Sequence, residues 1–118
     1  MESLSVIENL VGFETVSRDS NLPLIDFVQN FLYDHGVDSR RVPSADGRKS
    51  NLIATVGPLE PGGIVLSGHT DVVPVDGQDW SRDPFALHRR GERWYGRGSC
   101  DMKGFIGIAL SLVPQMNH

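Results

Sequence analysis

The sequence lacks most of what would tie a chain to a membrane, a nucleic acid or an oxidising compartment. It has one cysteine, Cys100, so no internal disulfide can form. No apolar run approaches the roughly 20 residues needed to cross a bilayer. Positive charge is not in excess: 11 basic and 15 acidic side chains give a formal net charge of −4. A chain that lives on phosphates usually leans the other way. The one basic concentration, Arg89, Arg90 and Arg93, is broken by Gly91 and Glu92 and reads as a solvated hairpin tip. Repeats and low-complexity tracts are absent. The opening Met-Glu-Ser-Leu-Ser lacks the basic and apolar regions of a secretory signal. A reducing, cytoplasmic setting is therefore expected.

What is present is ordinary for a soluble globular chain: 39% hydrophobic and 22% charged residues over 118 positions. This is one domain's worth or less, yet enough for a core without staples. Val6, Ile7, Leu10 and Val11 recur at helical spacing and predict a short helix over residues 3–11. Leu24, Phe27, Val28, Phe31 and Leu32 form one apolar stripe of a second helix, with Asn21 as its cap, Pro23 in its first turn and Gly36 closing it. The period then changes. Residues 37–42 suggest an edge strand and 51–56 a better one. The run 64–67 between Gly63 and Gly68 predicts a buried, central strand. A long loop over 72–84 follows, then a hairpin around Gly91. Phe105, Ile108, Ala109, Leu112 and Val113 predict a last helix ended by Pro114. Gly104 and Gly107 inside it each cost about 1 kcal/mol relative to Ala, which points to close approach of a neighbouring element. Helices, then strands, then a helix suggest an α/β layer architecture.

Two clusters carry chemistry. In Ser67-Gly68-His69-Thr70-Asp71 an imidazole and a carboxylate stand two residues apart past a predicted strand. In extended backbone such residues face the same way. A metal suits the pair, since one ring nitrogen binds and a carboxylate fixes the other N–H. An isolated His-x-Asp is also commonly an ordinary side-chain hydrogen bond. In Tyr95-Gly96-Arg97-Gly98-Ser99-Cys100-Asp101-Met102-Lys103-Gly104 a glycine-rich turn delivers Asp101 to a helix start. On local grounds it reads there as a capping aspartate in the helix's first turn. Nucleotide readings fail: Lys103 is followed by Gly104, not Ser or Thr, and Asp101 occupies the third glycine position of a dinucleotide fingerprint. Cys100 has no Cys-x-x-Cys partner and reads as a small buried or half-buried thiol. His35 beside Gly36, His88 on the hairpin and the final His118 are weaker still. Trp80 and Phe85 read as hydrophobic pins of the long loop. No Gly-x-Ser-x-Gly is present.

Taken together, the two clusters, with Trp80 and Asp83-Pro84-Phe85 between them, resemble the dinuclear-zinc amidohydrolase and peptidase family. Its members include acetylornithine deacetylase, succinyl-diaminopimelate desuccinylase, aminoacylase and glutamate carboxypeptidase. Leu10, Phe13, Thr15-Val16-Ser17 and Asn21-Leu22 share the likeness, and Val75-Asp76-Gly77-Gln78 and Asp101-Met102-Lys103-Gly104-Phe105 read most like the deacetylase branch. The resemblance implies a zinc-peptidase-like (phosphorylase/hydrolase-like) α/β fold, a mixed sheet flanked by helices, cut short. It implies that His69 is a ligand of one zinc, that Asp101 bridges two zincs, and that Asp71 orients the histidine as an active-site acid. Cobalt is an alternative metal. The implied substrate is a small N-acyl amino acid, and the implied assembly a homodimer, with neither nucleic acid nor membrane as partner.

The family's general-base glutamate, its remaining ligands and its lid or dimerisation domain find no counterpart. Residues 102–118 contain no acidic side chain, and His118 falls too early for the family's late histidine. Each zinc takes about four ligands. The expectation is therefore the N-terminal part of a longer catalytic domain. Alternatives are a different amidohydrolase of the same family and a non-catalytic piece or binding module.

Overall fold

A computed structural model describes residues 2–117. Three α-helices pack around one core. Helix α1, Ser3–Gly12, buries Val6, Leu10 and Val11, the stripe its spacing predicts. Helix α2, Leu22–Asp34, buries Leu24, Ile25, Val28, Phe31 and Leu32. Its exit uses the left-handed φ of +76° at Gly36. This lets Val37 N–H turn back to the Leu32 carbonyl at 2.8 Å. His35 adds a ring bond from Nδ1 to the Phe31 carbonyl at 2.8 Å. Helix α3, Gly104–Met116, contributes Leu110 and Val113 to the same core.

Gly107 explains how α3 reaches α1. It is buried, and a Cβ there would stand 3.1 Å from the Ile7 backbone nitrogen and 3.2 Å from its Cα. The close approach expected from the two helical glycines is thus helix on helix. At Gly104 the nearest atom is the Ser99 carbonyl oxygen of the preceding turn.

The strands form two separate antiparallel pairs among the described residues. Strand β1, Ser39–Pro43, pairs with β2, Ser50–Ala54, with Arg41 opposite Leu52. Strand β3, His88–Arg90, pairs with β4, Arg93–Tyr95, across Gly91 at φ +65°. Arg89, Arg90 and Arg93 are exposed as expected, and the His88 ring stacks on Tyr95.

Five expectations are corrected. The run 64–67 is not a central strand: Ile64 and Val65 are 91% and 89% exposed. No mixed sheet forms among the described residues. An interior strand needs partners along its edges and cover on its faces. Nearby, only an isolated parallel bridge forms, between Val16 and Val72. Pro114 lies inside α3. The helix survives because Asn117 N–H still reaches the Val113 carbonyl at 3.0 Å and its side chain ties to the His35 carbonyl at 2.8 Å. Cys100 is exposed, not buried. His118 lies outside the described residues.

Asn21 is the fifth. It does not cap α2 through its side chain. The Leu22 N–H instead reaches the Ser20 hydroxyl at 3.1 Å. The buried amide of Asn21 donates to the Ser50 carbonyl at 2.9 Å and accepts from the Ser50 N–H at 3.0 Å. It thereby replaces a missing strand neighbour for β2. Asn21→Ala leaves both Ser50 groups buried without partners, each worth about 1–3 kcal/mol. A loss of about 2 kcal/mol or more in urea denaturation is the expected result, and a near-neutral change would show that water satisfies them.

Candidate metal centre

His69 stands between two carboxylates. Its Nδ1 lies 3.0 Å from the Asp71 backbone carbonyl and 3.1 Å from Asp71 Oδ1. Its Nε2 lies 2.9 Å from Asp101 Oδ1. The contact joins the two sequence clusters across 32 positions. Both groups are open to solvent, with His69 half exposed and Asp101 76% exposed. Asp101 leaves helical geometry at φ −124° and ψ 91° inside the wide turn Ser99–Lys103, and α3 has no side-chain cap. The capping reading of Asp101 is therefore set aside: its carboxylate is spent on His69. The Asp101–Met102 peptide bond is cis.

The turn is built by glycine and sulfur. Gly98 takes φ +85°, and a Cβ there would sit 2.5 Å from Val72 Cγ1. Lys103 N–H closes the turn on the Gly98 carbonyl at 2.8 Å. Met102 Sδ accepts the His69 N–H at 3.4 Å. At Gly68 a Cβ would meet Met102 Cε at 3.1 Å and Ile106 Cγ1 at 3.2 Å, so the residue before His69 is small where α3 passes.

The proton on the ring is favoured. The Asp71 backbone carbonyl raises the His69 pKa above its ordinary value, burial opposes this, and the Asp101 carboxylate adds to it. With Nδ1–H directed at Asp71, Nε2 and a carboxylate oxygen face each other. Either a proton or a cation resolves that pairing. The donors suit a metal in kind, a ring nitrogen beside a carboxylate oxygen. They are short in number: among the described residues no group of three His, Cys, Asp or Glu is placed to hold a metal.

The basic residue that spacing did not single out is Lys103. Its side chain is completely buried, and Nζ donates to the Phe13 carbonyl at 2.7 Å. Nothing in the spacing signals a contact across 90 positions. Burial pushes its pKa down to about 8 from 10.5. Between those values the unfolded chain holds more protons than the folded one, so stability rises with pH there. Below about 8 both states are protonated and the penalty is constant, about 3 kcal/mol at ~1.4 kcal/mol per unit. Lys103→Met is expected to flatten the stability profile between pH 8 and 10.5. It should be no less stable at pH 7, because Phe13 O still accepts from Thr15 N–H at 2.9 Å. A profile that keeps its slope would assign the titration elsewhere.

Trp80 and Phe85 are half-buried. The Trp80 indole donates to Gln78 Oε1 at 2.8 Å, and the Arg97 guanidinium lies 5.3 Å above its ring. They pin the loop through mixed polar and aromatic contacts. His69 and Asp71 also line an open groove of about 1490 Å³ between α2, α3 and the segment leading to His69. Among the described residues no helix is long and apolar enough to cross a membrane.

Residues 65–118 match the profile of Peptidase family M20/M25/M40. The chain is similar to acetylornithine deacetylases. It is 34% identical to that of Buchnera aphidicola, covering 97% of this chain and 31% of the relative. It is 41% identical to that of Yersinia pestis, covering 98% and 31%. It is 41% identical to that of Pasteurella multocida, covering 83% and 26%. The chain thus spans about a third of the length of the curated relatives it matches. The profile match lies on the stretch that holds both clusters.

Proposed function

We propose that this chain is the N-terminal part of the catalytic domain of a metal-dependent amidohydrolase that converts N2-acetylornithine to ornithine and acetate, a step of arginine biosynthesis. The observation that carries the reading is the 2.9 Å contact of His69 Nε2 with Asp101 Oδ1. It converges two clusters in a chain whose relatives are named acetylornithine deacetylase. His69 and Asp101 would hold the metal, zinc or cobalt, through a ring nitrogen and a carboxylate. When bound, the metal would supply Lewis-acid polarisation of the scissile carbonyl and of water.

The chain's own residues do the positioning. Asp71 accepts the Nδ1 proton of His69 and so fixes the tautomer that leaves Nε2 free. The general base, the remaining ligands and the groups that read the substrate carboxylate lie outside these residues, in the rest of the catalytic domain. A lid or dimerisation domain belongs to the same longer protein, a cytoplasmic homodimer in this reading. The 118-residue chain alone is inactive for want of a base.

The test assays the full-length protein with zinc or cobalt on N2-acetylornithine and on N-succinyl-diaminopimelate. Faster, chelator-sensitive turnover of the acetyl substrate is expected. Faster turnover of the succinyl substrate would replace the deacetylase with a desuccinylase of the same family. Hydrolysis by the 118-residue chain alone, at a comparable rate, would overturn the division of labour.

A further inference from the structure

His69 and Asp101 come from segments that share no strand or helix, yet one short stretch grips both. The wide turn that carries Asp101 is held through Lys103, whose buried Nζ donates to the Phe13 carbonyl at 2.7 Å. The segment that carries His69 and Asp71 is held through Thr15. The Thr15 hydroxyl donates to the Thr70 carbonyl at 2.6 Å, and the Val72 N–H donates to the Thr15 carbonyl at 2.9 Å. Ser17 N–H then takes the Val72 carbonyl at 3.1 Å. Phe13 and Thr15 are themselves joined, Thr15 N–H to Phe13 carbonyl, at 2.9 Å. The bonds that anchor the two halves of the pair therefore meet within residues 13–17.

We infer that Lys103 and Thr15 are positioning residues that set the spacing of His69 and Asp101, through a shared clasp on the segment between α1 and α2.

The physical case rests on burial and reach. Thr15 is 3% exposed and Lys103 0%, so water does not compete for their bonds. Among the described residues Lys103 has a carbonyl and no carboxylate as partner, and its stem fills the space beside Gly98, whose Cβ would lie 3.3 Å from Lys103 Cδ. An apolar side chain could fill that space. Only a long donor also ties the turn to Phe13. The bonds on the Thr15 side flank Asp71 on both sides, at Thr70 and Val72, so a shift of that segment moves His69 relative to Asp101. The inference concerns this spacing and holds whichever amide the protein cleaves.

The test reads the pair directly, by the ring nitrogen chemical shifts of His69 in the ¹⁵N-labelled, metal-free full-length protein at one fixed pH. Asp101→Asn serves as the reference displacement. Thr15→Val is nearly isosteric and removes only the hydroxyl, and Lys103→Met keeps the stem and removes the donor. Either is expected to shift the His69 ring signals in the direction of Asp101→Asn, with the core signals of Leu24, Val28 and Phe31 unchanged. Thr15→Ser, which keeps the hydroxyl, is expected to restore the native shifts. Native His69 signals in Thr15→Val, beside a displaced Asp101→Asn, would overturn the inference and leave the pair and the proposed activity standing. Native signals in Asp101→Asn itself would remove the pair, and the inference with it.

Discussion

In the full-length amidohydrolase proposed above, His69→Ala and Asp101→Ala are each expected to lower kcat/KM by about a thousandfold or more. A bound metal contributes several kcal/mol of transition-state charge stabilisation, and each ~1.4 kcal/mol is a factor of ten. Both side chains stand where the two clusters touch, with Nε2 2.9 Å from Oδ1. Among the described residues no group of three His, Cys, Asp or Glu is placed to hold a metal, so losing either side chain thins a donor set that is already short. Asp71→Asn should cost less, about 10–100-fold, the range typical of partners that orient a ligand. The Asp71 backbone carbonyl, 3.0 Å from Nδ1, survives that substitution and still holds the ring. The measurement is steady-state kinetics with metal content determined for each variant. Near-native rates for His69→Ala or Asp101→Ala would show that the activity does not pass through this pair.

Gly107→Val should be the most damaging single change to the fold, at about 3 kcal/mol or more. Replacing Gly by Ala in an open helix interior gains about 1 kcal/mol in helix propensity. Here the Cβ would press on Ile7 Cγ1 and stand 3.1 Å from the Ile7 backbone nitrogen. Rotation of the Ile7 side chain relieves only the first contact. The second is backbone, so α1 and α3 must move apart. Overpacking of this kind costs about 1–3 kcal/mol for small insertions, and parting the helices also loosens Val6, Leu10, Leu110 and Val113, which share the core. Gly107→Ala should fall between Val and wild type. Ile7→Ala should recover part of the Gly107→Ala loss, a coupling of about 1 kcal/mol read from a double-mutant cycle in urea. Full additivity would mean that the two helices do not meet at this residue.

The helices were legible because their information is local and periodic. The stripes of α1 and α2 occupy the positions that bury Val6 and Leu10, and Leu24, Val28, Phe31 and Leu32. Gly36 and Gly91 marked chain reversals because positive φ favours glycine. The segment 64–67 misled for a related reason. Four apolar residues between glycines express a preference for burial, but burial in a sheet depends on partners, and none lies alongside among the described residues. Asn21 misled in another way. An Asn before a helix favours a cap on local grounds. Ser50, 29 positions away, offers it two bonds instead of one.

His69, Asp71 and Asp101 were singled out because the two clusters together resemble a metallohydrolase family; residue type and spacing alone left an ordinary hydrogen bond and a capping aspartate open. The sequence by itself also determined the acidic balance, the single thiol and the helical faces, all of which are sums or periods along one dimension. Only the tertiary structure decided that His69 meets Asp101, that Gly107 lies against Ile7, and that Lys103 is buried with its ammonium on Phe13. Each of these contacts joins positions 32 to 100 apart. No local pattern encodes such a contact, because its free energy comes from packing and desolvation shared by both segments, and that exists only once the chain has closed on itself.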